Sequence, residues 1–267
     1  MDNNTNNALQ QWLENRERLM AIDSTTTDVL YNKAIELCKK LHTTLAQETD
    51  KDDYIAFLSA YANLLAIREE NLNTELQVQE EIIAIRRSQA EENKEQYLPK
   101  LSNSLLYASM LHRKAANIHR AIEYMEECVA CEKEALEEYT ASTTYQLALK
   151  QYYLANTYSA TGRNILAEEL YKESIAMFMV AMKEHATNQE EVRLILSQIL
   201  VEMGDFYYNS RMVDSAIDRY LQAIELLQAA PQTTPIVDAS KALYIMLSEI
   251  YKQLGNDEKS NYYATMA

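Results

Sequence analysis

The sequence predicts an all-α chain of antiparallel helix pairs, on three observations. Turn-forming residues are scarce: 267 residues contain three glycines and three prolines, where average usage supplies roughly 19 and 13, so sheets joined by hairpins are excluded. Amphipathic stretches of helical length alternate with short polar breaks. A spaced set of small and aromatic residues recurs along the chain, so the pairs repeat.

Each break sets a boundary. Residues 1–7 (MDNNTNN) carry no apolar periodicity and are expected to form a disordered tail. Asp23-Ser24-Thr25-Thr26-Thr27 divides the first pair (8–46), and Gln47 to Asp53 separates it from the second (54–93). Pro99 is expected in the first turn of the helix that opens the third pair (98–138), where its missing N–H costs nothing. Thr140 to Thr144 offers hydroxyl caps for the fourth pair (144–186), within which Gly162 stops one helix before Ile165 begins the next. The fifth pair covers 190–229. The break Ala230-Pro231-Gln232-Thr233-Thr234-Pro235 then leads, with Pro235 at a helix start, into the sixth pair (235–266), where Gly255 ends one helix and Asn256-Asp257 caps the last. About twelve helices in six pairs result, with no segment that reads as an interdomain linker, so a single stacked array over 1–267 is expected.

The repeat is explicit in the C-terminal half. Ala155, Tyr158, Ala167, Tyr171 and Ser174 step by 3, 9, 4 and 3 residues, as do Gly204, Tyr207, Ala216, Tyr220 and Ala223. Ser248, Tyr251, Ser260, Ala264 and Ala267 follow the same grid. Ser109, His112, Ala121, Met125 and Cys128 keep its small and apolar character, whereas Leu64, Ile67, Leu76, Glu80 and Ile83 keep part of it and Asn15, Arg18, Thr27, Tyr31 and Ala34 match at the second helix alone. A small residue on the first helix lets the second approach closely, and the aromatic one turn later fills the space between pairs.

This grid resembles the tetratricopeptide repeat family, most clearly in Leu154-Ala155-x-x-Tyr158-x-x-x-Gly162 with Ala167 and Tyr171, and in Met203-Gly204-x-x-Tyr207 with Ala216, Tyr220 and Ala223. The resemblance implies a right-handed α-solenoid, a tetratricopeptide-like superhelix. Two departures stand out. The anchors Ile67, His112, Tyr158, Tyr207 and Tyr251 lie 45, 46, 49 and 44 residues apart against a usual period of about 34, which lengthens each helix by about 8–11 Å. Long-helix members such as the kinesin light chain and bacterial peptide-sensing regulators look more similar. The family's Trp and repeat-terminal Pro are mostly absent, and the only tryptophan, Trp12, sits one residue off its expected place.

Composition narrows the function. Forty Asp and Glu against 25 Lys and Arg give a formal charge of −15, spread along the chain, and such a body is repelled by nucleic acid and anionic membranes. With 48% hydrophobic residues the chain builds a substantial core. The N-terminus has no secretory pattern and no run approaches a spanning helix, so a cytoplasmic protein is expected. His42, His112, His119 and His185 lie on separate elements, there is no Gly-rich phosphate loop, and Cys128-x-x-Cys131 lacks two further zinc ligands. No enzyme, metal or cofactor is expected, and the three cysteines read as reduced structural thiols.

What the resemblance implies instead is a groove lined by the first helices of the pairs. Counted from the anchors, its floor carries Tyr61, Leu65 and Arg68; Leu106, Met110 and Arg113; Tyr152, Asn156 and Ser159; Val201, Asp205 and Tyr208; Ile245, Glu249 and Lys252. On that register the N-terminal half is apolar with two arginines and the C-terminal half is polar and acidic, which suits a peptide with one acidic or phosphorylated end and one basic end. The carboxylate clamp of chaperone-tail binders in this family, Lys-x-x-x-Asn and Lys-x-x-x-Arg, is missing: the corresponding pairs are Tyr152/Asn156, Val201/Asp205 and Ile245/Glu249. The expected function is a non-catalytic scaffold or adaptor that binds a peptide or helical protein segment; the alternative is a peptide-sensing regulator whose superhelix switches state. A homodimer through the final, uncapped helix is a further expectation.

Overall fold

A computed structural model describes residues 3–46, 50–140, 142–183, 189–231 and 233–267. Twelve α-helices and no strands occur among them: α1 Asn3–Met20, α2 Asp28–Leu45, α3 Lys51–Ala66, α4 Leu72–Glu92, α5 Lys94–Lys114, α6 Ile118–Glu137, α7 Thr144–Ala160, α8 Asn164–Lys183, α9 Gln189–Asn209, α10 Val213–Gln228, α11 Thr234–Gln253 and α12 Asp257–Met266. A single 3-10 turn, Glu69–Asn71, joins α3 to α4. The chain forms two compact units, Met1–Ser142 and Thr143–Ala267, each a stack of antiparallel helix pairs.

Caps fall where side chains can make them. Asp50 accepts from the Asp52 N–H, Thr143 from Gln146 and Asn256 from Lys259, each satisfying an orphan donor of a first turn. Two boundaries differ from expectation. Helix α1 begins at Asn3 rather than after residue 7, residues 3–7 holding neither Gly nor Pro; Met1 and Asp2 lie outside the described residues. Helix α5 begins at Lys94, since Asn93 accepts from the Gln96 N–H and caps it, and this leaves Pro99 inside the helix instead of in its first turn.

The first helices of four pairs end in one device. Ala116, Gly162, Arg211 and Gly255 all adopt positive φ, from 58 to 74°. In each case the following N–H reaches back to the anchor carbonyl: Asn117 to His112 (2.8 Å), Arg163 to Tyr158, Met212 to Tyr207 and Asn256 to Tyr251 (2.9 Å each). The left-handed residue itself donates to the carbonyl three residues earlier, at 2.9–3.1 Å. These are Schellman closures.

The N-terminal unit is centred on α3. Phe57 and Leu58 are fully buried, Trp12 of α1 meets the Phe57 ring edge-on at 5.4 Å, and His42 of α2 stacks on Tyr54 and Phe57. At the α3–α4 turn, Tyr31 donates to the Leu64 carbonyl and accepts from Asn71, while Arg68 lies 4.2 Å above its ring.

Within pairs, the small residues of the grid set the spacing. Ser109 reaches across α5–α6 to the Ala121 carbonyl (2.7 Å), and Ser248 reaches across α11–α12 to that of Ser260 (2.9 Å). In the C-terminal unit Ala155 and Ala167 are fully buried. Gly204 faces Tyr220 so closely that an added Cβ would lie 2.8 and 2.9 Å from ring atoms Cδ1 and Cζ.

Candidate functional site

Each unit has an open cleft in the same structural place, between the first helices of successive pairs with a second helix as its floor. In the N-terminal unit, α3 contributes Ser59, Ala62 and Asn63, α5 contributes Asn103, Ser104 and Tyr107, and α4 lays Gln79 and Ile82 beneath them around about 240 Å³. Its walls are amides and hydroxyls; Gln79 is tied down by donating to the Ser104 carbonyl at 2.9 Å and Tyr107 by donating to Glu75 at 2.5 Å.

The cleft of the C-terminal unit is larger, about 410 Å³, and apolar. Helix α9 supplies Leu194, Ile195, Ser197, Gln198 and Val201, α11 supplies Ala239, Ala242, Leu243 and Met246, and Leu227 of α10 forms the floor. Its volume is in the range of cavities that hold a ligand or an anchoring side chain.

The expected groove residues divide. Tyr61, Leu65 and Tyr152 are 2%, 0% and 4% exposed and belong to the core, a correction to the sequence reading. Tyr61 and Leu65 lie within the N-terminal core, with Tyr61 against the Phe57 and His42 rings. Tyr152 turns inward to donate to Glu202 at 2.6 Å. Arg68 is bound to Asp28 at 2.5 Å, not to the neighbours Glu69 or Glu70. Asn156 and Asp205 are half-buried acceptors for Tyr171 (2.5 Å) and Tyr220 (2.7 Å), and Tyr208 donates to Gln253 at 2.8 Å. Leu106 and Ser159 are half-buried; Met110, Arg113, Ile245, Glu249 and Lys252 are exposed. Of the whole set, Val201 alone lines either cleft.

The clefts therefore sit about one turn further from the anchors than the counted stripe, in the added length of the first helices. The expected polarity is also altered: amides and hydroxyls line the N-terminal cleft, and aliphatic side chains line the C-terminal one. Sequence reasoning missed Leu194, Gln198, Ala239, Ala242 and Met246. On α11 the signal was present as an apolar i, i+3, i+7 stripe, Ala239-Ala242-Met246.

Several half-buried or exposed carboxylates are matched by phenols. Tyr54 donates to Glu81 (2.6 Å), Tyr124 to Glu80, Tyr145 to Glu191 (3.1 Å) and Tyr207 to Glu168 (2.8 Å). Burial first, and the carboxylate second, pushes Tyr124, Tyr145 and Tyr207 up to about 12. Burial likewise pushes the Cys38 and Cys131 thiols up to about 12, away from the thiolate form. Among the described residues no group of three His, Cys, Asp or Glu could hold a metal ion, and no helix is long and apolar enough to cross a membrane.

No family model matches the chain, and no curated protein matches it. Solved structures do. BtubC from P. vanneervenii is 17% identical over 92% of this chain and 87% of its own, with a TM-score of 0.62. A kinesin light chain of nearly identical TPR-like repeats from Podosopora anserina is 16% identical over 87% of this chain and all of its own, with a TM-score of 0.59. A signal-transduction ATPase from Pyrococcus horikoshii with a tetratricopeptide repeat sensor is 15% identical over 88% of this chain and 33% of its own, with a TM-score of 0.65. At these identities the likeness is one of fold, and the fold is that of a tetratricopeptide-like helical-repeat solenoid.

Proposed function

We propose that this chain is a non-catalytic protein-interaction module that holds a segment of a partner protein in the clefts between its first helices. The observation that carries the reading is the aliphatic cleft between α9 and α11, open to solvent although its lining has the composition of a core. An exposed apolar concavity is costly unless something covers it. The buried Cys38 thiol and the phenol-bound carboxylates support a non-catalytic role, since these groups are engaged in packing and hydrogen bonds.

Capture from native cytosol with cleft-filling variants tests the proposal. Ala242 is exposed and lines the cleft, so Ala242→Phe puts a ring into the cleft, and Asn63→Phe does the same in the N-terminal unit. Glu169→Lys, at an exposed position on α8, is the control. A partner retained by the wild type and the control and lost with a cleft-filling variant is the expected result. Capture that is indifferent to both fillings overturns the reading.

A further inference from the structure

The walls and the rim of the α9–α11 cleft differ in chemistry. Eight of the ten lining residues are apolar, and the two polar ones are already occupied: the Ser197 hydroxyl donates to the Leu194 carbonyl at 2.7 Å, and Gln198 donates to Glu202 at 3.2 Å. Around them the same helix faces carry carboxylates. On α9, Glu202 lies four residues after Gln198 and Asp205 four after Val201; on α11, Asp238 lies four before Ala242 and Glu249 three after Met246, spacings that keep each beside a lining residue.

Neutral hydroxyls, not cations, bind the α9 pair: Tyr152 donates to Glu202 and Tyr220 to Asp205. Asp238 and Glu249 are exposed. The cations on the two helices are Arg193, Lys241 and Lys252, and Arg193 donates to the Ala229 carbonyl. Counted over both helices, six carboxylates (Glu190, Glu191, Glu202, Asp205, Asp238 and Glu249) stand against these three cations, so the two walls of the aliphatic slot carry a net negative charge.

We propose that this cleft receives the aliphatic anchor of a basic segment, a peptide or helix in which leucine-like side chains are flanked by Lys or Arg. The inference rests on the interaction reading above and names the partner's chemistry. The slot supplies the affinity through desolvation of the anchor, and the carboxylates select against acidic partners and accelerate encounter with basic ones. Because the rim charges are exposed or half-exposed, their contribution is screened by salt.

The test uses the full chain and labelled 14-residue peptides in fluorescence anisotropy. One carries a central Leu-x-x-Leu with Lys on both sides, a second has Glu in place of every Lys, and a third has Ala in place of Leu. The expected result is binding of the Lys-flanked peptide alone, at least ten-fold weaker with Ala242→Phe. Asp238→Lys with Glu249→Lys is expected to weaken it by about ten-fold and to flatten its salt dependence. Circular dichroism of each variant confirms that the helices are retained.

If the Glu-flanked peptide binds as tightly and is blocked by Ala242→Phe, the charge assignment is overturned while the interaction module stands. If the Lys-flanked peptide binds but is indifferent to both sets of substitutions, the cleft is not its site and the inference fails. Sedimentation of wild type against Ala242→Phe covers the remaining occupant: a dimer that the filling variant dissociates identifies a second copy in the cleft and overturns the proposal.

Discussion

Gly204→Ala opposes two effects whose sizes decide between them. Gly204 is helical, so the added methyl removes backbone freedom from the unfolded chain and on propensity alone stabilises by about 0.5–1 kcal/mol. The same methyl would lie 2.8 and 2.9 Å from Cδ1 and Cζ of Tyr220, well inside the 3.5–4.0 Å of a normal carbon contact. Tyr220 cannot swing away: its ring is 1% exposed and its hydroxyl is held by Asp205 at 2.7 Å. Helices α9 and α10 must separate instead, and overpacking of this kind costs about 1–3 kcal/mol. The net expectation centres on a loss of about 1 kcal/mol, seen as a fall of about 2–4 °C in the melting midpoint followed at 222 nm. In a Tyr220→Leu background the ring is gone, and the same substitution should raise the midpoint by about 1–4 °C, reversing its sign. An increase in both backgrounds would falsify the claim that close approach at this glycine holds the pair together.

Two further expectations follow from the fold. At the Schellman closures, Arg211→Gly and Ala116→Gly should stabilise by about 0.5–1 kcal/mol, because a left-handed backbone costs an L-residue about 1–2 kcal/mol, partly offset by the freedom glycine gains when unfolded. Gly162→Ala and Gly255→Ala, where no atom lies within 4 Å of the new Cβ, should destabilise by a similar amount through backbone strain alone; thermal melts of the four variants check the opposing signs. The buried phenols predict alkaline unfolding. With folded values raised above 10, up to about 12 for Tyr61, Tyr124 and Tyr207, their contribution is intact below pH 10 and is lost as pH climbs toward 12. Tyrosinate absorbance at 295 nm should therefore rise in two phases, the second together with loss of helix; a single smooth titration near pH 10 with helix retained would contradict this.

The architecture was legible because its signals are local and periodic. The small residues Ser109, Ala155 and Gly204 recur at the spacing that packing requires, and Gly162 and Gly255 mark their helix ends openly. The left-handed positions of Ala116 and Arg211 were hidden, since sequence marks that conformation only when glycine occupies it, although both lie four residues after an anchor as the glycines do. The clefts were misplaced for a different reason. Counting from anchors assumes that every pair presents the same face, but α3 is packed among the aromatic side chains of α1 and α2, which buries Tyr61 and Leu65. Tyr152 was drawn inward by Glu202, a partner 50 residues away that leaves no periodic trace.

Trp12 is the only tryptophan, and it lies within the N-terminal unit with its ring against Phe57. Excitation at the red edge of its absorption therefore illuminates one half of the molecule and leaves the other dark. Its emission reports the melting of Met1–Ser142 alone, whereas helical ellipticity sums both units. Superimposable curves would mean that the halves melt as one body. Separate curves would give each half its own midpoint from the unmodified chain, with no label introduced.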